Sequence, residues 1–465
     1  MKKFILFPLL FICLFTYSQN AEISGNVGEN KVKMLRLIAL ADQFSMLEKT
    51  IATTYSDESG NFSIEATLTK TQMTLLAVDL TKGDIFLKPQ SNIELSIVND
   101  TSSELQSIYE QVPLQYNIIN DEDLNTNIRK FNVIYNGFLL KNFNRISRSR
   151  SNTLINNFKH EMDSIFEGYK NDFFANYRKY RIGALELISR RKSEIMLMDE
   201  YFLNKKILYN NIEYASLFTE VFNNYILSGN SGIDYAKLLE TINYSTNYKK
   251  FDEMVAAGNY KLEPDRRLRE LIEIISLAKL YNTKGFYRNN IIKYLRQIER
   301  NSEFKEHRNI ASNYITKLEK FIWGSPTPLF SLKTPDNKIV TNDSLKGEFV
   351  LLAFMKGDSK LCLSHISLID ELRQKFNSKL KIIMLVEGNP NSISNFMYER
   401  DYEWPVLEID DILLIEEFGI KVYPTYMLLN PDGSISSSST PMPDENIAPF
   451  INSLMKKWEK IKISN

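Results

Sequence analysis

A serine, a cysteine and a histidine occupy one short stretch of this chain at a spacing that suits sulfur chemistry. Ser359 stands three residues before Cys362, and His365 follows three residues after it. A thiol near the start of a helix loses its proton readily, because the helix dipole and free backbone N–H groups stabilise the thiolate. A protonated histidine one turn further along also favours the thiolate. The stretch therefore suggests catalytic chemistry at Cys362, with Ser359 and His365 as its neighbours.

Each of these residues also has a structural explanation. Serine is a favoured helix N-cap, and its hydroxyl does not ionise usefully near neutral pH without a strong base. Ser359 is therefore expected to cap the helix rather than to act as a nucleophile. Leu361 and Leu363 flank Cys362, and burial among apolar residues would make the thiol inert. Cys362 and His365 supply two metal ligands at most, too few for a zinc site, so no metal is expected. Whether Cys362 is reactive stays open.

The residues around this stretch predict an α/β domain that would position it. Residues 349–354 are continuously apolar, as a buried central strand requires. Apolar residues at helical spacing follow Cys362, and residues 380–386 read as a second buried strand. A Tyr-Pro-Thr segment, residues 423–425, then precedes a short strand and a hairpin turn at Asp432-Gly433.

This order of elements resembles the thioredoxin superfamily and, within it, the TlpA-like periplasmic proteins. The matching features are the strand ending at Phe354, Cys362 eight positions later and the Tyr-Pro-Thr segment, over about residues 324–460. In that family the first cysteine of a Cys-x-x-Cys pair attacks a substrate disulfide, and the second resolves the mixed disulfide. The resemblance places Ser359 at the attacking position, so the usual two-step exchange is not expected within one chain.

The resemblance also implies a binding surface. In the family the proline has a cis peptide bond and lies against the active-site sulfurs, beside a groove that accepts an extended chain. Pro424 takes that place here, with Tyr423 and Thr425 as its neighbours. Backbone around these residues is expected to pair with a protein or peptide partner. The leading hypothesis is a thioredoxin-like protein with a degenerate redox site that acts by binding such a partner.

A second interpretation keeps an enzymatic use of Cys362. Peroxiredoxins resemble thioredoxins and carry Thr-x-x-Cys, in which the cysteine attacks peroxide, and Ser359-x-x-Cys362 is close to that pattern. The loop after Phe354 lacks that family's proline, however, and Pro424 stands where those proteins usually place an activating arginine. A monothiol oxidoreductase or a peroxidase-like enzyme is therefore the alternative to a binding protein.

The start of the chain is typical of secreted proteins. Lys2 and Lys3 precede an apolar stretch of 12 residues, and cleavage is expected after Ser18, which predicts export to the periplasm. Of the two cysteines, Cys13 would leave with this signal peptide, so the processed chain would hold only Cys362 and could form no internal disulfide. No second apolar stretch suggests a membrane span.

The 465 residues divide into four parts. A signal peptide (1–18) is followed by a β-rich module (19–100) that is predicted to be a small β-sandwich. A helical region (101–322) and the thioredoxin-like α/β domain (323–465) complete the chain. The turn at residues 57–62 resembles one that recurs in modules attached to TlpA-like proteins of Bacteroidetes.

Composition limits the partners that the protein can have. The sequence is 43% apolar and 25% charged, which is ordinary for a globular protein, and its 57 basic residues balance 57 acidic ones. Without a basic excess or a nucleic-acid-binding motif, nucleic acid is not an expected partner. No cofactor is expected, and the sequence leaves the oligomeric state open.

Overall fold

The computed structural model describes residues 20–98, 113–120, 123–149 and 152–464. The predicted signal peptide, residues 1–18, lies outside the described part of the chain. Across the described ranges, no helix combines the length and the apolar character needed to cross a membrane. The predicted fold class is confirmed: β-sheets come first, helices next and a thioredoxin-like α/β domain last.

Two four-stranded sheets form the N-terminal module. Their strands are β1 Asn20–Asn26, β2 Met34–Leu40, β3 Glu48–Tyr55, β4 Asn61–Thr67, β5 Gln72–Val78, β6 Thr81–Leu87, β7 Asn92–Val98 and β8 Gln115–Ile118. The strand orders are β4-β1-β7-β8 and β3-β2-β5-β6. Alternate residues of β4 are buried, because successive side chains of a strand point to opposite faces. Side chains from both sheets, such as Ile23 and Leu37, share one core, as in a β-sandwich.

The last strand of this sandwich lies beyond the predicted end of the module at residue 100. Strand β8 pairs antiparallel with β7, with Ile118 opposite Leu95. Tyr116 of β8 is buried in the sandwich core, and Arg129 donates a hydrogen bond of 2.8 Å to the Tyr116 carbonyl. The sandwich therefore takes one strand from the range that the sequence pattern assigned to the helical region.

The middle of the chain is helical. The α-helices in its described part are α1 Asp123–Ser149, α2 Asn152–Ile165, α3 Asp172–Ile188, α4 Glu194–Tyr201, α5 Ile212–Phe222, α6 Tyr235–Glu240, α7 Tyr248–Gly258, α8 Arg266–Leu280, α9 Arg288–Asn301 and α10 Lys305–Glu319. Side-chain caps fix several starts; Asp265, for example, accepts the Leu268 N–H at 3.1 Å. Phe44 of the sandwich packs edge-on against Phe218 of α5, at 5.6 Å between ring centroids, so the two modules share a core.

The C-terminal domain is built on a five-stranded sheet of order β13-β12-β11-β14-β15. Its elements are β9 Ser331–Lys333, β10 Ile339–Thr341, β11 Phe349–Lys356, α11 Lys360–Phe376, β12 Leu380–Glu387, α12 Asn391–Tyr398, β13 Val406–Ile409, α13 Leu413–Glu417, β14 Thr425–Leu429, β15 Ile435–Thr440 and α14 Ile447–Ser464. The central strand β11 runs parallel to β12 and antiparallel to β14. It is buried at every residue except Lys356, which explains its continuous apolar sequence.

The sandwich also contacts this domain through a partly buried ion-pair group. Arg36 Nη1 lies 2.7 Å from Glu416 Oε2, and Lys82 Nζ lies 3.0 Å from Glu416 Oε1. Burial alone would raise the pKa of Glu416, but Arg36 and Lys82 together outweigh it and lower that pKa. The first and last modules are therefore joined by charge as well as by apolar packing, which includes Leu80.

Candidate functional site

The turn between β11 and α11 determines where the Ser359–Cys362 stretch lies. Gly357 is buried in this turn, and a Cβ atom there would overlap the backbone oxygen of Asn389, so only glycine fits. Ser359 then caps α11, its hydroxyl accepting the Cys362 N–H at 3.3 Å. The serine hydroxyl therefore already has a structural partner at the helix start.

Cys362 lies in the core of the thioredoxin-like domain. Its side chain is a free thiol with 0% exposure, and it packs in the same apolar cluster as Ile366 and Leu351. Its Sγ accepts a hydrogen bond from the Lys356 backbone N–H at 3.4 Å. Attack on a disulfide or a peroxide requires the sulfur to meet the substrate, and in this arrangement neighbouring residues cover it.

His365 is bonded to a tyrosine of the neighbouring strand. The side chain is 3% exposed, and its Nδ1 lies 3.0 Å from the hydroxyl of Tyr426, with the two rings inclined by only 9°. Burial lowers the pKa of His365, and Asp444 opposes that shift only in part, so the neutral imidazole is favoured. Within the described residues no hydrogen bond joins His365 to Cys362, although both side chains point into the same domain core.

The Tyr-Pro-Thr segment lies beside the end of β11. Thr425 pairs with Phe354 across the sheet, and its hydroxyl donates to the Val422 carbonyl at 2.7 Å. The Tyr423–Pro424 peptide bond is cis, and the Pro424 side chain is buried. Burial, together with the nearby Glu387 carboxylate, raises the pKa of Tyr423, and Cys362 contributes to the same shift. The segment and the first turn of α11 therefore adjoin.

The structure thus brings all six predicted residues to one end of the central sheet: Ser359, Cys362, His365, Tyr423, Pro424 and Thr425. The sequence pattern missed Tyr426, the hydrogen-bond partner of His365, although it directly follows the Tyr-Pro-Thr segment. Within the described ranges, no group of three or more histidine, cysteine, aspartate or glutamate side chains could hold a metal ion.

Comparison with known proteins supports the assignment of this domain. The AhpC/TSA family model matches residues 323–438. Thiol-disulfide oxidoreductase ResA of Bacillus thuringiensis is 27% identical over 124 residues, which cover 26% of this chain and 72% of ResA. Thioredoxin-like protein YneN of Bacillus subtilis is 26% identical over 131 residues, 27% of this chain and 76% of YneN.

Solved structures show the same local similarity. The crystal structure of the thioredoxin domain of a thiol-disulfide oxidoreductase from Bacteroides vulgatus is 18% identical and covers 28% of this chain and 96% of that domain, with a TM-score of 0.26. The family model and the sequence relatives, taken together, identify the C-terminal region of this protein as a thioredoxin-like domain. Its sequence is homologous to those of thiol-disulfide oxidoreductases.

Proposed function

We propose that this protein is an exported, periplasmic member of the thioredoxin-like group that binds a protein or peptide partner instead of exchanging disulfides with it. The observation that carries the proposal is Ser359, which stands three residues before the buried Cys362 as the N-cap of α11. An alcohol there provides no thiolate for attack on a disulfide. The Tyr-Pro-Thr segment, which the family resemblance assigns to partner binding, lies beside this turn.

The burial of Cys362 supports the same conclusion. A monothiol mechanism would need its sulfur to reach a peroxide or a mixed disulfide, whereas the thiol is fully covered and already accepts the Lys356 N–H. His365 does not supply an imidazolium to it, because burial lowers the histidine pKa and its Nδ1 is engaged with Tyr426. These contacts favour binding over the monothiol or peroxidase-like alternative.

Backbone beside Pro424 offers the groups that an extended partner would use. The N–H groups of Lys421, Val422 and Tyr423 donate no hydrogen bond to the described residues. Lys421 is exposed, and Val422 and Tyr423 are half-buried at the surface. A partner segment could pair with these donors in the manner of an added strand, its main chain supplying affinity and its side chains specificity.

A disulfide reduction assay tests the missing sulfur. The processed protein should not accelerate insulin reduction by dithiothreitol above the reagent background. The matched variant Ser359→Cys should accelerate it clearly, because a cysteine at a helix N-terminus is a stabilised thiolate, and Cys362, one helical turn further on, could attack a disulfide formed at position 359 without meeting solvent. Reduction by the unsubstituted protein at a rate near that of the variant would overturn the proposal.

Site-specific crosslinking tests the binding surface. A photoreactive benzoylphenylalanine at Val422 should capture a partner protein in the cells that make this chain. The same probe at Tyr398, which is 85% exposed on α12, serves as the control and should not capture it. Equal capture at both positions, or none at Val422, would contradict the proposed surface.

A further inference from the structure

A cavity of about 590 Å³ lies between the sandwich and the helices, far in sequence from the Cys362 stretch. We call it the intermodule cavity; strands β5 and β6 and helices α1, α3 and α5 contribute to its wall. Its size falls within the range of about 300–1,000 Å³ that is usual for small-molecule sites. Asn125 fixes one side, because its amide accepts the Phe86 N–H at 2.7 Å and donates to the Phe86 carbonyl at 2.8 Å.

One part of the wall is apolar. Its main side chains are Leu40, Phe44, Met73, Leu75, Phe86 and Ile128. Phe86 is held edge-on against Tyr177, at 5.5 Å between ring centroids and 87° between ring planes. A ligand with an apolar body could bury that body against these side chains.

The polar part of the wall has more negative than positive charge. The lining includes four carboxylates and two guanidinium groups: Glu48, Asp84, Glu213, Glu220, Arg129 and Arg181. Arg181 donates to Glu213 at 2.8 Å, and Lys82 binds Glu48 at 2.6 Å. The Asp84 carboxylate makes no hydrogen bond or ion pair with the described residues, and Asp84 remains exposed while it lines the cavity. The guanidinium of Arg181 is therefore the positive charge that acts on both the Glu213 and the Asp84 carboxylates.

The pKa shifts of two carboxylates agree with this excess of negative charge, and a third observation concerns an unpaired polar atom. Although Asp84 reaches solvent, the surrounding wall partly desolvates its carboxylate and raises its pKa, and Arg181 offsets that rise only in part. Burial also raises the pKa of Glu213, and repulsion from Asp84 adds to it. Gln43, which lines the cavity and is 4% exposed, has a side-chain oxygen without a hydrogen-bond partner among the described residues. The wall thus presents the Asp84 carboxylate, which lacks a donor among the described residues, and it includes the buried amide of Gln43, whose oxygen is unpaired in the same part of the chain.

We infer that the intermodule cavity binds a small amphipathic cation, a protonated amine joined to an apolar body. The ammonium group would donate to the Asp84 carboxylate and would neutralise part of the excess negative charge. The apolar body would lie against Phe44 and Phe86. An anion would be repelled by the unpaired Asp84 carboxylate. A neutral molecule would supply no positive charge to pair with that carboxylate.

Calorimetry with three probes of nearly equal shape tests the charge preference. The processed protein is titrated with phenethylamine, 2-phenylethanol and phenylacetate, each at two temperatures so that binding with zero heat at one temperature is still detected. Phenethylamine should bind saturably at one site per chain and at least tenfold more tightly than the alcohol, with no binding of phenylacetate. Absence of saturable amine binding, or equal affinity for amine and alcohol, would overturn the inference.

Variants locate the site. Asp84→Asn should weaken phenethylamine binding at least tenfold, and Ser216→Trp, which fills the cavity from an exposed position of α5, should abolish it. Asp410→Asn removes an exposed carboxylate from the C-terminal domain and should leave binding unchanged. Circular dichroism checks that each variant folds. Unchanged affinity in both cavity variants would refute the site, whether or not the thioredoxin-like domain binds a partner.

Discussion

The first turn of α11 and the intermodule cavity differ in a way that their residue types do not reveal. At α11 the residues suited to chemistry are already engaged. Ser359 accepts the Cys362 N–H, and His365 is bonded to Tyr426. In the cavity, by contrast, Asp84 and Gln43 are residue types common on any protein, yet among the described residues the Asp84 carboxylate and the Gln43 side-chain oxygen have no hydrogen-bond partner.

The comparison shows that a reactive residue type is not sufficient, because the reactive group must also be accessible to a substrate or ligand. A thiol is the more reactive group, but a covered thiol meets no substrate. A carboxylate is ordinary, but one that is open to a cavity and shares a single guanidinium with another carboxylate can gain free energy from an added cation. Accessibility and unsatisfied polar groups therefore indicate the cavity as a binding site, whereas residue type alone indicated Cys362 as a reactive site.

The strongest test of the contrast is alkylation of Cys362. Because the thiol is fully buried, iodoacetamide should modify it at least about 100-fold more slowly in the folded processed protein than in denaturant, as followed by mass spectrometry. The control is Ser364→Cys in a Cys362→Ala background, which places a thiol at an exposed position of the same helix. Native alkylation of Cys362 as fast as that of the control would revive the enzymatic alternative.

Removal of the Arg181 guanidinium from the cavity wall should have the next largest effect. Arg181→Gln leaves Glu213 and Asp84 without their shared guanidinium, so we expect a loss of about 2 kcal/mol in the free energy of unfolding. Guanidinium denaturation measures it. Adding Glu213→Gln should recover most of that loss.

The control for this prediction is an ion pair outside the cavity. Lys338→Gln breaks an exposed pair with Asp336 and should leave stability nearly unchanged. An Arg181 variant as stable as this control would show that water solvates the carboxylates of the cavity, so that they do not depend on the Arg181 guanidinium.

Loss of the α11 cap should have a smaller effect. Ser359→Ala removes the acceptor of the Cys362 N–H and should lower the free energy of unfolding by about 1 kcal/mol. Ser359→Asp keeps an acceptor at the cap and should retain stability. Equal stability of all three proteins in thermal denaturation would mean that Ser359 has no capping role, and its place in the site would need another explanation.

The pH dependence of His365 should be the smallest effect. Burial lowers the pKa of this histidine below its usual 6.5, so the unfolded chain takes up its proton at a higher pH than the folded one. Its contribution to stability is therefore present above about pH 6.5 and is lost as the pH falls through the folded-state pKa.

A pair of variants measures this dependence. His365→Gln should reduce stability less at pH 5 than at pH 7.5. Replacement of the exposed His160 by glutamine should have the same small effect at both values. A penalty for His365→Gln that grows at low pH would mean that the imidazole is charged in the folded protein, as thiolate stabilisation requires.

Local patterns were sufficient for much of the fold. The apolar run from Phe349 predicts β11, and the structure extends it by only two residues to Lys356. The run from Leu380 predicts β12, which is one residue longer than expected. Both predictions rest on contiguous sequence, because a strand buried on two faces is apolar at each position. Strand β8 was missed because four residues give too short a pattern.

The sequence predicted which residues form the candidate site but not which contacts those residues make. The spacing of Ser359 and Cys362 indicated a helix start, and the capping hydrogen bond agrees with it. The hydrogen bond between His365 and Tyr426 joins residues 61 positions apart, so no local rule could assign it. The cavity is lined by residues of three helices and five strands that meet only after the modules pack, and these residues form no motif along the chain.

The sequence by itself determined which elements form and which groups could do chemistry. Strand and helix periodicity are local properties of the chain, and so is the replacement of the first cysteine of the pair by a serine. Only the tertiary structure decided which of those groups are free to act. Burial and hydrogen bonding depend on neighbours brought in from distant parts of the chain, and those neighbours cover the thiol of Cys362 while leaving Asp84 open.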